Sequence, residues 1–233
     1  MEYGNKSIDP NGLDPLHAIR YIAQNTLENF HPGGRVTPND ILNKAHSALS
    51  ETLHQATRVI QIIDHLRALK PGRKQHEKAC AVTQDAVQHV LDMMQDEAPL
   101  SGITVLKILP GDLSPAPLRP ADLEAVLSQT IFYYRSRLES IQKCGTGMIN
   151  IEAGEKNYIS SENSGQKRFI LRVSHNGPEI DRKDLPDLFD AFCSSAPNGL
   201  GLYLCRKITD YYGGTIQVET NSRATIFQFE FPN

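Results

Sequence analysis

The spacing of apolar residues changes partway along this chain of 233 residues. In about the first seventy residues the apolar positions recur every three or four residues, which is the period of an amphipathic helix. The segment HPGGRVTPND at 31–40 interrupts this pattern with two prolines and two glycines, so we predict two helices joined by a loop. Alternating apolar and polar segments, typical of β-strands, appear only later. The chain therefore divides into a helical part, 1–73, and a mixed part, 74–233.

The second predicted helix, from about residue 40 to residue 69, carries a long apolar stripe close to a heptad repeat. The stripe contains Ile41, Ala45, Leu49, Leu53, Ala56, Val59, Ile60, Ile63 and Leu66. A hairpin of two helices cannot cover such a stripe on both sides by itself. We therefore expect a homodimer in which two antiparallel hairpins form a four-helix bundle. The alternative is that the hairpin packs on the C-terminal part of its own chain.

The second part of the chain alternates predicted helices and strands. We predict a helix at 81–102, a strand at 103–109, a helix at 121–140, and strands at 147–154 and 168–175 around a polar loop. A short helix at 183–189 is followed by a glycine-rich segment that opens a helix, and strands at 215–220 and 224–231 end the chain. This order predicts an α+β fold in which one sheet carries helices on one face, an α/β sandwich.

Composition excludes several classes of function. A net charge of −3 argues against a dedicated nucleic-acid-binding protein, which usually carries a basic surplus. No apolar run approaches the roughly 18–20 residues of a membrane span, so we expect no direct membrane insertion and a cytoplasmic location. The four cysteines form no CxxC pair and the eight histidines are scattered, so we predict no metal site.

Five segments resemble the motifs of two-component sensor histidine kinases, in the same order along the chain. The segment GLGLYLCRKITDYYGGTIQVET at 199–220 is similar to the second glycine-rich nucleotide box, and RVSHNGPEI at 172–180 to the first. LPDLFDAF resembles the phenylalanine box, DLEAVLSQTIFYY the asparagine box, and ATRVIQIIDHLRALKPG the second dimerisation helix. The resemblance implies a dimerisation hairpin followed by an ATP-binding domain of the gyrase–Hsp90–kinase type.

The phosphoacceptor box departs from the family pattern. The segment PNGLDPL at 10–16 places Pro10 where the family has its phosphorylated histidine, and Asn11 where an acidic residue follows. Proline has no nucleophilic nitrogen, so we predict that this site is lost. His17 lies seven residues further, on nearly the same helix face, and is a candidate for a displaced phosphoacceptor.

The nucleotide site departs from the family pattern at its side chains. The two asparagines of the asparagine box fall on Gln129 and Tyr133, and the aspartate that binds the adenine amino group falls on His175. Glu179 stands where the family has a glycine. Tyrosine is a poor ligand for Mg²⁺, and a neutral imidazole is a weaker acceptor than a carboxylate. The remaining candidates for a vestigial nucleotide site are Gly177, Asn198, Gly199, Leu200, Gly201 and Leu202.

These departures favour a catalytically degenerate, histidine kinase-like protein of a two-component phosphorelay. Its partners would be a second copy of itself and either the receiver domain of a response regulator or a partner kinase. One alternative is a histidine phosphotransferase that uses His17. Another is a divergent active kinase, which alone would need ATP and Mg²⁺; otherwise we predict no cofactor.

Overall fold

The structure is a computed structural model that describes residues 38–69, 81–97, 102–139, 147–160, 163–191 and 200–233. The first predicted helix, with Pro10 and His17, lies outside these residues, so the hairpin and the four-helix bundle stay predictions. The elements are α1 (Pro38–Ala68), α2 (Thr83–Glu97), β1 (Ile103–Ile108), α3 (Pro120–Glu139), β2 (Gly147–Ser160), β3 (Asn163–His175), α4 (Gly201–Tyr211), β4 (Thr215–Thr220) and β5 (Thr225–Pro232). No helix within the described ranges is both long and apolar enough to cross a membrane.

The five strands form one mixed sheet in the order β1-β2-β3-β5-β4. Strand β1 runs parallel to β2, and the other neighbours are antiparallel. Alternate residues of β3 and β5 point into the core, where they meet helices α3 and α4. The buried apolar set includes Phe169, Leu171, Val173, Phe227, Phe229 and Phe231. Polar side chains such as Arg172 and Gln228 lie on the opposite face, as expected for a sheet with helices on one side.

The predicted polar loop between β2 and β3 is wrong. Both strands continue through most of it, with Glu155 opposite Phe169 and Tyr158 opposite Gln166. The sequence there lacks an apolar alternation because its side chains do not face the core: Glu155 is half-buried, and Lys156 and Asn157 are exposed. Backbone pairing and exposed cross-strand contacts, such as the 2.5 Å ion pair of Lys167 with Glu155, hold it instead.

The predicted short helix at 183–189 is also wrong. Residues 181–191 form successive turns with hydrogen bonds between residues three apart. The N–H of Asp184 donates to the carbonyl of Asp181, and the N–H of Leu188 donates to the carbonyl of Leu185. Pro186 has no N–H to donate and restricts the residue before it, so a continuous helix is disfavoured here.

Helix α4 ends in a Schellman motif. Gly213 has φ of +66°, its N–H donates to the carbonyl of Asp210, and the N–H of Gly214 donates to that of Thr209 at 2.8 Å. A Cβ on Gly214 would lie 2.4 Å from the carbonyl oxygen of Glu230. The two glycines therefore let the chain turn directly from α4 into β4.

Helix α1 has two apolar faces rather than the single predicted stripe. Val59 and Ile62 are buried against the rest of the chain, and the Arg58 guanidinium lies 4.0 Å above the ring of Phe132 on α3. Leu49, Leu53, Ile60 and Ile63 remain 67%, 69%, 59% and 38% exposed. Since consecutive residues of a helix are 100° apart, Val59 and Ile60 face different directions. The alternative packing on the chain's own C-terminal part thus accounts for one face, and the other described residues do not cover the second face.

Candidate functional site

The candidate nucleotide-site residues Tyr133 and His175 belong to a buried aromatic cluster, formed by Tyr133, Tyr134, His175, Phe189 and Phe227. The Tyr133 and Phe227 ring centroids are 5.4 Å apart, and those of Tyr134 and His175 are 4.2 Å apart. Helix α3 supplies two consecutive tyrosines that are both fully buried, because neighbouring helices and the sheet cover it on several sides. Such contacts are typical of a packed core.

His175 is the last residue of β3 and only 1% exposed. Its Nδ1 accepts a hydrogen bond from the N–H of Gly177 at 2.8 Å, so a neutral ring carries its hydrogen on Nε2. Nε2 is buried and has no hydrogen-bond partner among the described residues. Burial, and then the positive charge of Arg137, lower the pKa of His175 to about 3. The ring is therefore neutral at physiological pH, and its accepting nitrogen is already used within the chain.

Gly177 lies directly against the His175 ring. A Cβ on this glycine would lie 2.6 Å from Nδ1 and 2.9 Å from Cε1 of His175. The glycine of the first nucleotide box thus makes room here for a histidine side chain of the same chain.

Tyr133 and Gln129 lie one helical turn apart on α3. Tyr133 is fully buried, and the Arg137 guanidinium lies 5.8 Å from its ring centroid. Gln129 is 8% exposed, and its Oε1 is buried without a hydrogen-bond partner in the described part of the chain. Mg²⁺ prefers compact oxygen ligands in octahedral array. A tyrosine ring in the core and a displaced amide do not fit Mg²⁺ with ATP phosphates.

The amino end of α4 begins as the glycine-rich segment predicts. Leu200 is the N-cap residue, with no side-chain cap, and Gly201 and Leu202 are buried in the first turn. Asn198 and Gly199 lie outside the described residues, so a phosphate-binding backbone at this point stays a prediction.

Sequence analysis missed Tyr134 and Arg137. The Tyr134 hydroxyl donates to the carbonyl of Val173 at 2.9 Å, which fixes α3 on the sheet beside His175. The Arg137 guanidinium donates to the carbonyl of Glu179 at 2.9 Å and so holds the loop after His175. The i, i+4 spacing of Tyr133 and Arg137 on a predicted helix was the available signal.

A second buried polar group lies at the amino end of α3. Asp122 is 1% exposed and accepts two hydrogen bonds from Arg119, at 2.7 and 3.0 Å, and one from the Tyr212 hydroxyl at 2.6 Å. Burial and this contact raise the pKa of Tyr212, and Asp122 likewise raises the pKa of Arg119. These contacts join the start of α3 to the end of α4 and are a structural clamp.

Comparisons with known proteins identify the domain. Residues 136–233 match the family described as histidine kinase-, DNA gyrase B- and HSP90-like ATPase. The chain is 29% identical over 217 residues to the C4-dicarboxylate transport sensor protein DctB of Rhizobium meliloti, covering 91% of this chain and 31% of DctB. The chain spans less than half the length of the curated relatives that it matches over most of its own length.

Solved structures share the fold. Histidine kinase AdeS of Acinetobacter baumannii superimposes with a TM-score of 0.55 at 18% identity, over 94% of each chain. Histidine kinase ThkA, in complex with the response regulator protein TrrA, gives a TM-score of 0.55 at 15% identity, over 94% of this chain and 57% of that one. The family match over residues 136–233 and the curated relative show a histidine kinase ATPase-type domain, and the solved structures show the same fold.

Proposed function

We propose that this protein is a catalytically degenerate histidine kinase-like scaffold, dimeric and cytoplasmic, that binds the receiver domain of a response regulator or a partner kinase. The observation that carries the proposal is the position of His175. The family's adenine anchor is replaced by a ring that is buried in the aromatic cluster, and its accepting nitrogen is bonded to Gly177. The amino group of adenine therefore finds no free acceptor at this residue.

Two losses at this site act on the same ligand. A charge-assisted hydrogen bond contributes about 1.5–3 kcal/mol, and about 1.4 kcal/mol corresponds to a tenfold change in affinity. Losing the adenine carboxylate and the magnesium-binding amide should weaken ATP binding by about a hundredfold or more. We propose that ATP and Mg²⁺ no longer bind at functional concentrations.

The scaffold role is supported by similarity and by exposed apolar surface. ThkA is similar in fold and has been solved with a response regulator bound. The uncovered face of α1 carries Leu49, Leu53, Ile60 and Ile63. An apolar helix face of this length is typically buried against another helix. We propose that the same helix of a second copy covers it.

Calorimetric titration with ATP and Mg²⁺ tests the degenerate pocket. We expect no saturable heat below millimolar ATP. Saturable binding in the low micromolar range would contradict the proposal and favour the divergent active kinase. The matched variant is His175→Asp with Tyr133→Asn, checked for folding by circular dichroism. Regained binding in this variant would show that the backbone around Gly201 still accepts phosphate and that only the anchoring side chains are lost.

Light scattering of the full chain tests the dimer. We expect twice the mass of one chain at micromolar concentration. Ile63→Asp should give monomer or insoluble protein, because it places a carboxylate in an apolar interface. Gln61→Asp, on an exposed position of the same helix, is the control and should stay dimeric. A monomeric wild-type chain would refute the dimer.

A further inference from the structure

A histidine–carboxylate pair lies outside the aromatic cluster, on the outer side of α2 and α3. The Nδ1 atom of His89 is 3.0 Å from Oε1 of Glu124, and the two side chains are 67% and 29% exposed. A carboxylate accepts the Nδ1 hydrogen, which leaves the lone pair of a neutral ring on Nε2. Nε2 has no protein partner among the described residues.

The other histidines with described contacts lack this arrangement. His175 is buried, and its Nδ1 is bonded to Gly177. The two ring nitrogens of His65 lie 3.1 and 3.3 Å from the carbonyls of Gln61 and Ala121. Within the described part of the chain, His89 therefore combines a carboxylate partner with an exposed second nitrogen.

The pair is held by helices that pack on each other rather than by loops. Val87 and Val90 on α2 are buried in the same core as Leu123 and Leu127 on α3. His89 and Glu124 lie at a more exposed edge of the same two helices, where their side chains meet. Helix positions hold catalytic groups more accurately than loops do, so the pair is formed before any substrate arrives.

Charged neighbours complete the surface around His89. The Gln88 amide donates to Asp92 at 2.7 Å, and the Lys107 ammonium donates to the Gln88 carbonyl oxygen at 2.8 Å. Glu124 and, more weakly, Asp92 raise the pKa of His89, because their negative charges stabilise the protonated ring.

We propose that His89 is a phosphorylation site, at which Nε2 accepts a phosphoryl group from an acyl phosphate while Glu124 holds the ring. The Nε2 lone pair forms the N–P bond, the bond from phosphorus to the acyl oxygen breaks, and the carboxylate leaves. The Nδ1 hydrogen stays on the ring and remains hydrogen-bonded to Glu124. The negative charge of Glu124 compensates the positive charge of the phosphorylated ring. The inference rests on the proposed function only for its donor in the cell, the aspartyl phosphate of a receiver domain.

Acetyl phosphate is the probe, because it is an acyl phosphate and needs neither the nucleotide pocket nor a partner. The full chain is incubated at about pH 8, above the ordinary histidine pKa of about 6.5, and phosphoryl groups are located by peptide mass spectrometry. We expect acid-labile, base-stable label at His89. Exposed His46 on α1 is the internal reference.

Glu124→Gln separates a positioned nucleophile from an ordinary exposed histidine. It keeps the side-chain length but loses the charge, and we expect labelling of His89 to slow by about tenfold while that of His46 is unchanged. Glu124→Asp, which retains the carboxylate, should keep part of the rate. Labelling of His89 no faster than His46, or an unchanged rate in Glu124→Gln, would overturn the proposal. Either result leaves the ATP titration and the dimer unaffected, so the two proposals fail separately.

Discussion

Mild acid should destabilise this protein through one buried side chain, His175. Its pKa is about 3 in the folded chain, against an ordinary value of 6.5. Between these pH values the unfolded state binds a proton that the folded state does not. The stability that comes from keeping this ring neutral is therefore fully present above pH 6.5 and is lost as the pH falls toward 3.

The size of the effect follows from the two pKa values. One pKa unit corresponds to about 1.4 kcal/mol, so a fall from about pH 7.5 to about pH 5 should cost about 2 kcal/mol of unfolding free energy at this residue. The loss approaches about 5 kcal/mol near pH 3. Because domains are stable by only about 5–15 kcal/mol, this one histidine can account for much of an acid transition.

Urea unfolding at the two pH values, compared between wild type and His175→Asn, measures this contribution. The asparagine carbonyl can still accept the N–H of Gly177 but cannot titrate. The variant will be less stable at both pH values, because the ring leaves the aromatic cluster, and only the difference between the pH values matters. His89, whose pKa is raised, contributes in the opposite direction in both proteins and cancels.

Two results would refute this reasoning. One is an equal loss of stability in wild type and His175→Asn between about pH 7.5 and about pH 5. The other is a histidine resonance assigned to His175 by proton NMR that titrates near its ordinary pKa of 6.5 instead of below about pH 4.

Three further outcomes are expected. Asp122→Asn should cost about 3 kcal/mol in urea unfolding, because it breaks a buried ion pair, whereas Asp64→Asn, in an exposed pair, should cost under about 0.5 kcal/mol. Gly177→Ala should lower the melting temperature by forcing His175 aside, while Gly154→Ala, with open space at its Cβ, should not; equal effects would count against the close contact. Cys205, fully buried with its pKa raised to about 12, should resist thiol reagents until the protein unfolds, and rapid native labelling there would contradict this placement.

Most of the architecture was predictable from hydrophobic period. The strands at 103–109 and 215–220 and the helix at 121–140 are confirmed within about a residue, because apolar spacing reports directly on which face a core covers. The predicted helix at 81–102 is confirmed as Thr83–Glu97. The polar continuation of β2 and β3 gives no such signal, since strand residues with exposed side chains, such as Lys156 and Asn157, need no apolar face. Its ladder depends on backbone pairing, which the apolar pattern does not report.

The candidate site was predictable in its positions but not in its chemistry. The structure brings Tyr133 and His175, which fall in two different motifs, into one aromatic cluster. That their side chains are unsuitable for Mg²⁺ and adenine stays a prediction. The sequence could not show that Nδ1 of His175 is engaged by Gly177, because that bond depends on the path of the loop. Similarly, the apolar stripe of α1 could not be divided into two faces without knowing that Arg58 reaches Phe132.

On the proposed function, the side chains that replace the nucleotide anchors, Tyr133 and His175, are also part of the core. A carboxylate at residue 175 would be buried beside Tyr134, where the ring it replaces is 1% exposed, and an unpaired buried charge is costly. The positive charge of Arg137, which already lowers the pKa of His175, would offset part of that cost. Histidine needs no counter-ion, because it is neutral and fills the space. Hence a substitution that weakens ATP binding need not lower the folding stability of the domain. In this view, His175→Asp with Tyr133→Asn should give a folding stability that depends on nucleotide, whereas we expect no such dependence in the wild-type chain.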